Sequence, residues 1–187
     1  MLNDFLQQAE TIVMPVVGYR AWQVDADNNL QSLVWNIHWP SRRKMLASCR
    51  TFIGGCQRLP ATGNEDGQIL HRCGIYAFKS ETLLIKYLWE EERKASYFPP
   101  QMNTSMRHLI LGTVYLWGKV IECSDGYRGE CAYPKEIHRY TWSAVTESRL
   151  ENIAYLYGIS CAWHEKDIDV YRRRTKRLRR HANSLIL

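Results

Sequence analysis

Alternating and helical patterns of hydrophobic residues divide the beginning of the chain into a helix and two strands. Residues 16–24 and 30–39 are rich in Val, Ile, Tyr and Trp, which is typical of β-strands. The turn-forming residues 25–29 separate them, so the two strands are expected to form a hairpin. Before them, Asn3 is placed to cap a helix whose apolar residues recur at helical spacing and which ends at Pro15.

The second hairpin is marked by the pair Asp125-Gly126, a sequence that favours a tight β-turn. The strand before it, residues 109–123, is apolar at both odd and even positions. This pattern is expected for a central strand with both faces covered. The predicted partner strand covers residues 127–133, so the two hairpins together supply most of a sheet.

Two further helices are predicted from their caps and apolar stripes. Ser80 is a suitable N-cap for a helix over residues 81–94. Thr146 is placed to cap a helix that ends at Tyr157. Gly158 follows, and glycine is favoured there because the residue after a helix often adopts a left-handed conformation. We expect these helices to cover the sheet.

The pattern changes near residue 166. A short apolar strand is expected over residues 159–163, and beyond it apolar residues at spacings of three and four form a narrow stripe on a basic helix. The chain of 187 residues is long enough for one core and short for two. The sequence therefore predicts one α+β domain over residues 1–165, with a mainly antiparallel sheet built from the two hairpins and covered by helices, and a basic C-terminal helical tail over residues 166–187.

The positive charge of the chain is concentrated in that tail. Seven cations and no acid occur within nine residues: Arg172, Arg173, Arg174, Lys176, Arg177, Arg179 and Arg180. The net charge of the whole chain is +6, so the remainder carries −1. Such a helix suits a nucleic-acid backbone, since guanidinium groups bind phosphates in a bidentate manner. An acidic protein partner and a solvated tail are the alternatives.

Membrane association is not expected. The chain has no uninterrupted run of 18 apolar residues, and its N-terminus lacks the basic and apolar regions of a secretory signal. The apolar stripe of the tail also lacks the Trp and Phe residues of interfacial helices. We therefore expect a cytoplasmic protein, in which six cysteines are more typical of core residues or metal ligands than of disulfides.

Four candidate metal ligands occur within 25 residues: Cys49, Cys56, His71 and Cys73. Zinc is bound by four such ligands in a tetrahedron, and a site of this kind would order the long irregular segment between them. The sequence thus predicts a closed structural zinc site. One alternative is that the three cysteines are core residues and that His71 faces solvent. Another is a redox role, which would need a thiol in an exposed, electropositive setting. Cys161 and His164 form a second, weaker ligand pair, but the alternation of a short strand favours a buried Cys161.

Common catalytic motifs are absent from the chain, including the nucleophile elbow, the phosphate loop and the dinucleotide-binding glycine motif. The strongest remaining polar group is Arg20, Arg128 and Glu130, which lie beside aromatic residues in two similar Gly-Tyr-Arg stretches. If the two hairpins pair in one sheet, these side chains form a ligand pocket for an anion or a nucleotide base. The alternative is a surface ion pair packed on aromatic side chains.

Several stretches resemble motifs of a widespread bacterial and mobile-element protein family to which no activity is attached. They are residues 18–22 (GYRAW), 73–77 (CGIYA), 116–120 (LWGKV), 126–134 (GYRGECAYP) and 156–159 (LYGI). The similarity spans roughly residues 15–160 and excludes the basic tail. Members often have Cys-x-Cys-Gly-Ile, so His71 stands where that family has a cysteine, and the resemblance implies a metal ligand at this position.

These features favour a non-enzymatic, zinc-stabilised binding module. In this interpretation it is an accessory or regulatory protein of a phage or mobile element that contacts nucleic acid through its C-terminal helix. A second hypothesis is a protein-binding adaptor or inhibitor that docks on a larger protein machine. A third is an enzyme acting on a nucleotide or another small molecule through Arg20, Arg128 and Glu130.

Overall fold

The structure is a computed structural model that describes residues 14–33, 37–48, 73–94 and 106–164. The described chain forms seven strands, two α-helices and a short 3₁₀ turn. In chain order these are β1 Val16–Val24, β2 Leu30–Ser32, β3 Met45–Leu46, β4 Ile75–Phe78, α1 Glu81–Lys94, the 3₁₀ turn Met106–His108, β5 Ile110–Glu122, β6 Gly126–Tyr140, α2 Glu147–Tyr157 and β7 Ser160–His164.

The seven strands form one mixed sheet, in which β5 lies between β1 and β6. This strand pairs antiparallel with β1 on one edge and with β6 on the other. Strand β4 pairs with β6 and reaches β1 through the single register pair Tyr19 and Phe78, so β1, β5, β6 and β4 form a closed ring of pairings. β2 extends the sheet from β1, β3 pairs with β6, and β7 pairs with β6 in parallel.

Two apolar cores lie on the two faces of the sheet. The first contains Trp22 and Trp39 and is covered by the buried residues of α2, including Ile153 and Tyr157. The second lies under α1 and contains Ala21 of β1 together with buried side chains of β5 and α1. Successive residues of β1 thus enter opposite cores, as the alternation of a strand requires. The first half of β5, residues 110–116, is largely buried on both faces because it lies between the two cores.

The sequence patterns predict several of these elements correctly. The strand over residues 16–24, the helix over residues 81–94 and the hairpin at Asp125-Gly126 are confirmed. Thr146 precedes α2, and Gly158 ends it in the left-handed region at φ 65°. The coarse prediction of a sheet with helices is therefore confirmed, although the sheet is mixed because of β7.

Two strand lengths differ from the prediction. β2 contains three residues, and within it Gln31 forms an isolated bridge with His38. β6 extends seven residues past the predicted end at Tyr133 and continues through Pro134. Proline lacks a backbone donor, but here it lies at a register shift where Lys135 is an extra residue in the ladder. A β-bulge of this kind accommodates proline inside a strand.

Three sequence predictions fall on residues outside the described ranges. These are the helix before Pro15, the zinc loop over residues 49–72 and the basic helix over residues 166–187. Neither described α-helix is long and apolar enough to cross a membrane.

The phenol of Tyr157 ties α2 to the end of the first hairpin. Its hydroxyl donates to the carbonyl of Trp39 at 2.7 Å and accepts from the backbone N–H of Leu30 at 2.9 Å. All three residues are buried, so these backbone groups have no access to water in place of the phenol. The same environment raises the pKa of Tyr157, because burial disfavours its charged form.

We expect Tyr157→Phe to lower the free energy of unfolding by about 2 kcal/mol, because it leaves two buried backbone groups without their partner. Tyr155→Phe is the matched control, since Tyr155 lies two residues away on α2 and is 81% exposed. Urea unfolding followed by circular dichroism measures both changes. Equal stability of the two variants would contradict the proposed role of the Tyr157 hydroxyl.

Candidate metal centre

Three side chains with metal-ligand chemistry converge at the start of α1 and the ends of β6 and β7. His138 and Tyr140 are two residues apart on β6 and therefore share the face that α1 covers. His164 is the register partner of Tyr140 on the parallel neighbour β7. Glu81 is the first residue of α1, and the hydroxyl of Ser80 accepts a hydrogen bond from the first helical turn at 3.3 Å.

The ligand atoms of Glu81, His138 and His164 all lie within 4.8 Å of one another. Oε1 of Glu81 is 3.7 Å from Nδ1 of His138 and 3.6 Å from Nδ1 of His164. In tetrahedral zinc sites with bonds of about 2.0–2.1 Å, two ligand atoms are about 3.4 Å apart. The two measured separations are close to the value that a shared ion requires.

The orientation of the two imidazole rings adds a requirement for metal binding. The rings of His138 and His164 are stacked, with centroids 4.0 Å apart and planes inclined by 15°. Each nitrogen lone pair lies in the plane of its own ring, so the lone pairs of nearly parallel rings do not point at one common position. Binding one ion through both Nδ1 atoms therefore requires one ring to rotate.

In the present arrangement the polar groups form a buried hydrogen-bonded network. The Tyr140 hydroxyl donates to Oε1 of Glu81 and lies 3.2 Å from Nδ1 of His138. A phenol has a single proton, so Nδ1 of His138 is the donor to the Tyr140 oxygen. Glu81 and His138 are 5% and 4% exposed, and a buried carboxylate is costly unless such partners surround it.

Glu136 supplies a second carboxylate behind His138. Its Oε2 lies 3.6 Å from Nε2 of His138, on the side of the ring opposite to Glu81. Metal-bound histidines commonly donate their other ring N–H to a carboxylate, which fixes the tautomer that binds the metal. Moving the proton of His138 from Nδ1 to Nε2 would direct it toward Glu136 and leave Nδ1 able to bind an ion.

The predicted zinc cluster lies mostly outside the described residues. Cys49, Cys56 and His71 belong to the undescribed segment, whereas Cys73 is buried directly before β4. In the second predicted pair, the expectation of a buried Cys161 is wrong: Cys161 is exposed on β7, and His164 is the half-buried partner of Glu81. His164, and not Cys161, faces Glu81 because the even-numbered residues of β7 lie on the side of the sheet that α1 covers.

Arg20, Arg128 and Glu130 take different positions around β4. Arg20 donates to the carbonyl of Tyr76, whose register partner on the other edge is Arg128. Arg128 donates to the carbonyl of Cys73 at 3.4 Å. Glu130 accepts a hydrogen bond from the backbone N–H of Lys119 at 3.0 Å and so supports the register shift of β5. The two arginines thus approach β4 from opposite edges.

The sequence patterns do not indicate Glu81 or His138 as candidate ligands. They indicate only a helix start at Glu81 and a strand that ends at Tyr133, before His138. The available signal was the spacing of Glu136, His138 and Tyr140, which lie two residues apart and therefore share one face of the strand. Such spacing indicates a polar site on one face of a sheet.

Comparisons of the chain with protein-family models, with curated proteins and with solved structures gave no match. The motif resemblance over residues 73–77 and 126–134 accordingly stays a prediction.

We expect the protein, purified without a histidine tag, to bind one equivalent of Co²⁺ or Zn²⁺ at the cluster. His164→Gln should weaken binding at least about tenfold, in line with the loss of one ligand from the cluster. Isothermal titration calorimetry and the visible absorption of Co²⁺ measure the effect. His108→Gln is the control, because His108 is exposed and lies outside the cluster. Unchanged binding in His164→Gln would exclude the cluster as the binding site.

Proposed function

We propose that the protein is a metal-stabilised binding module in which Glu81, His138 and His164 hold one divalent transition-metal ion. The observation that supports this is the convergence of three ligand atoms from remote parts of the chain within 4.8 Å of one another. Two imidazoles and one carboxylate suit zinc and other first-row metals better than magnesium or calcium, which prefer oxygen ligands alone. Zinc is the first candidate.

The role proposed for the ion is structural. Glu81 begins α1, whereas His138 and His164 lie on adjacent strands of the sheet. An ion bound by all three joins the helix to the sheet at this point and compensates the buried carboxylate charge of Glu81. Three protein ligands leave one coordination position of a tetrahedral ion for water. No catalytic step is proposed for it.

Chelation should therefore lower stability. At a free zinc concentration of 100 times the dissociation constant, binding to the folded state adds about 2.7 kcal/mol to the free energy of unfolding. We expect this difference between zinc-loaded and EDTA-treated protein in thermal or urea unfolding.

Glu81→Gln should remove that difference while Glu90→Gln, on the same helix but outside the cluster, should retain it. A zinc effect of equal size in Glu81→Gln would contradict the proposal. Metal content measured by mass spectrometry of protein from cells then identifies the ion bound there.

Nucleic-acid contact through the basic tail is the binding function that we propose for this module. Its support is the sequence itself, in which seven cations occur between residues 172 and 180 and the remaining chain has a net charge of −1. Each phosphate neutralised by a cation releases counterions, so binding weakens as salt rises. An acidic protein partner is the alternative, and salt dependence with DNA and RNA distinguishes the two.

We expect the full-length protein to bind DNA or RNA with a steep dependence on salt. Replacing Arg172, Arg173 and Arg174 by Gln should make the plot of log K against log salt less steep, with the magnitude of its negative slope reduced by about 2 to 3. Fluorescence anisotropy with labelled duplexes and single strands measures this slope. The control replaces three exposed cations of the folded part, Arg43, Lys44 and Lys86, by Gln. Equal slopes in both triple variants would exclude the tail as the contact.

A further inference from the structure

The outer edge of β1 has a gap between its two neighbours. β2 pairs with Trp22–Val24 and β4 pairs with Tyr19, so in the described structure no strand pairs with β1 at Arg20 and Ala21 on this edge. A cavity of about 560 Å³ lies there and extends between the two apolar cores. Small-molecule sites typically have volumes of about 300–1,000 Å³. The gap in strand pairing is thus large enough for a ligand.

The lining of this cavity combines aromatic surface with one cation. It includes Arg20, Ser32, Trp39, Ile75, Phe78 and Tyr87. Phe78 and Tyr87 are in ring contact with centroids 5.3 Å apart. Asp125 is the one acidic residue among the described lining residues, and it is exposed. The walls are therefore suited to a flat apolar group, with a positive charge at one side.

The guanidinium group of Arg20 contacts only neutral groups among the described residues. Nη1 donates to the carbonyl of Tyr76, Nη2 donates to the hydroxyl of Ser32 at 3.2 Å, and the group lies 4.9 Å from the centre of the Trp39 ring. Nε is buried and has no hydrogen-bond partner in the part of the chain that the structure describes. Buried cations are normally paired with an anion. Arg20 thus has the donors and the charge for an anionic partner that the described residues do not supply.

Burial also lowers the pKa of Arg20 to about 10, because desolvation disfavours the charged form. The group still carries its full charge at neutral pH. An anion that pairs with it would offset part of this desolvation cost. The indole of Trp39 donates to the same Ser32 hydroxyl at 3.0 Å, which holds the ring and the guanidinium in fixed positions relative to each other.

We propose that this cavity binds a small molecule with one oxyanion on a flat apolar body. The oxyanion accepts hydrogen bonds from Nε and a neighbouring Nη of Arg20, which is the bidentate geometry of arginine with carboxylates and phosphates. The flat body packs against Trp39 and Phe78. An aromatic carboxylate and a nucleoside monophosphate both have this chemistry. The site is independent of the proposed metal centre, because neither Glu81, His138 nor His164 lines the cavity.

The test compares each anionic probe with a neutral counterpart of the same shape. The pairs are 2-naphthoate with 2-naphthamide, and adenosine 5′-monophosphate with adenosine. Calorimetry and the fluorescence of the tryptophans measure binding to the full-length protein. A charge-assisted hydrogen bond contributes about 1.5–3 kcal/mol, so the anion of at least one pair should bind about tenfold or more tightly than its neutral counterpart. Which pair binds identifies a carboxylate or a phosphate as the natural anion.

Two variants and one control locate the binding. Arg20→Gln removes the cation, and Ala47→Phe fills the cavity while Arg20 is kept, so a failure of one variant to fold leaves the other informative. Both should lose the anionic probe. Arg139→Gln should bind normally, because Arg139 also stacks on a tryptophan, at 4.3 Å from the Trp163 ring, but does not line the cavity.

Three results would overturn the proposal. They are equal binding of the anionic and neutral members of both pairs, retention of binding in folded Arg20→Gln or Ala47→Phe, and no binding of any probe at millimolar concentration. Circular dichroism spectra of the variants establish that each is folded before binding is measured.

Discussion

The extra residue in β6 decides which side chains face which core. Before the bulge, Ala132 points into the core under α2; after it, Ile137 enters the same core. Even-numbered residues of β6 thus face the core under α2 before the bulge, and odd-numbered residues face it afterwards. The change arises because the side chains of a strand alternate and Lys135 has no register partner on β5. Without this shift, His138 would face the core under α2 and not the core under α1. The convergence of its imidazole with Glu81 under α1 therefore depends on the bulge.

β6 also organises the sheet as a whole. It pairs with β5 along one edge and with β4, β3 and β7 in succession along the other. Glu81 is buried and Arg20 is half-buried with a buried Nε, and the two residues lie on opposite sides of the sheet that this strand organises. Glu81 is surrounded by a phenol and two imidazoles, whereas Arg20 has a carbonyl, a hydroxyl and an aromatic ring. Glu81 is thus hydrogen-bonded by a neighbouring side chain, whereas Nε of Arg20 has no hydrogen-bond partner among the described residues.

The parts of the fold that sequence predicted are those encoded by contiguous residues. β1, α1, α2 and the Asp125-Gly126 turn each have their own periodicity, cap or turn residues. The length of β6 was hidden because Pro134 is a strand breaker unless a bulge accommodates it, and the bulge is a property of pairing with β5. The cluster of Glu81, His138 and His164 was hidden for a related reason, since its members become neighbours only through the pairing of β6 with β7 and the packing of α1. Arg20 stays a predicted site residue, and the structure places it and Arg128 at opposite edges of β4.

The closure of the strand ring depends on one missing carbon atom. β4 meets β1 at the pair Tyr19 and Phe78, and the neighbouring residue of β1 is Gly18. A Cβ atom at residue 18 would lie 2.7 Å from Cβ of Ala77, closer than two such atoms approach. Any side chain at residue 18 forces β4 away from β1 and separates the two halves of the ring beside the Arg20 cavity. The contact of β1 with β4 therefore depends on the absence of a side chain at residue 18.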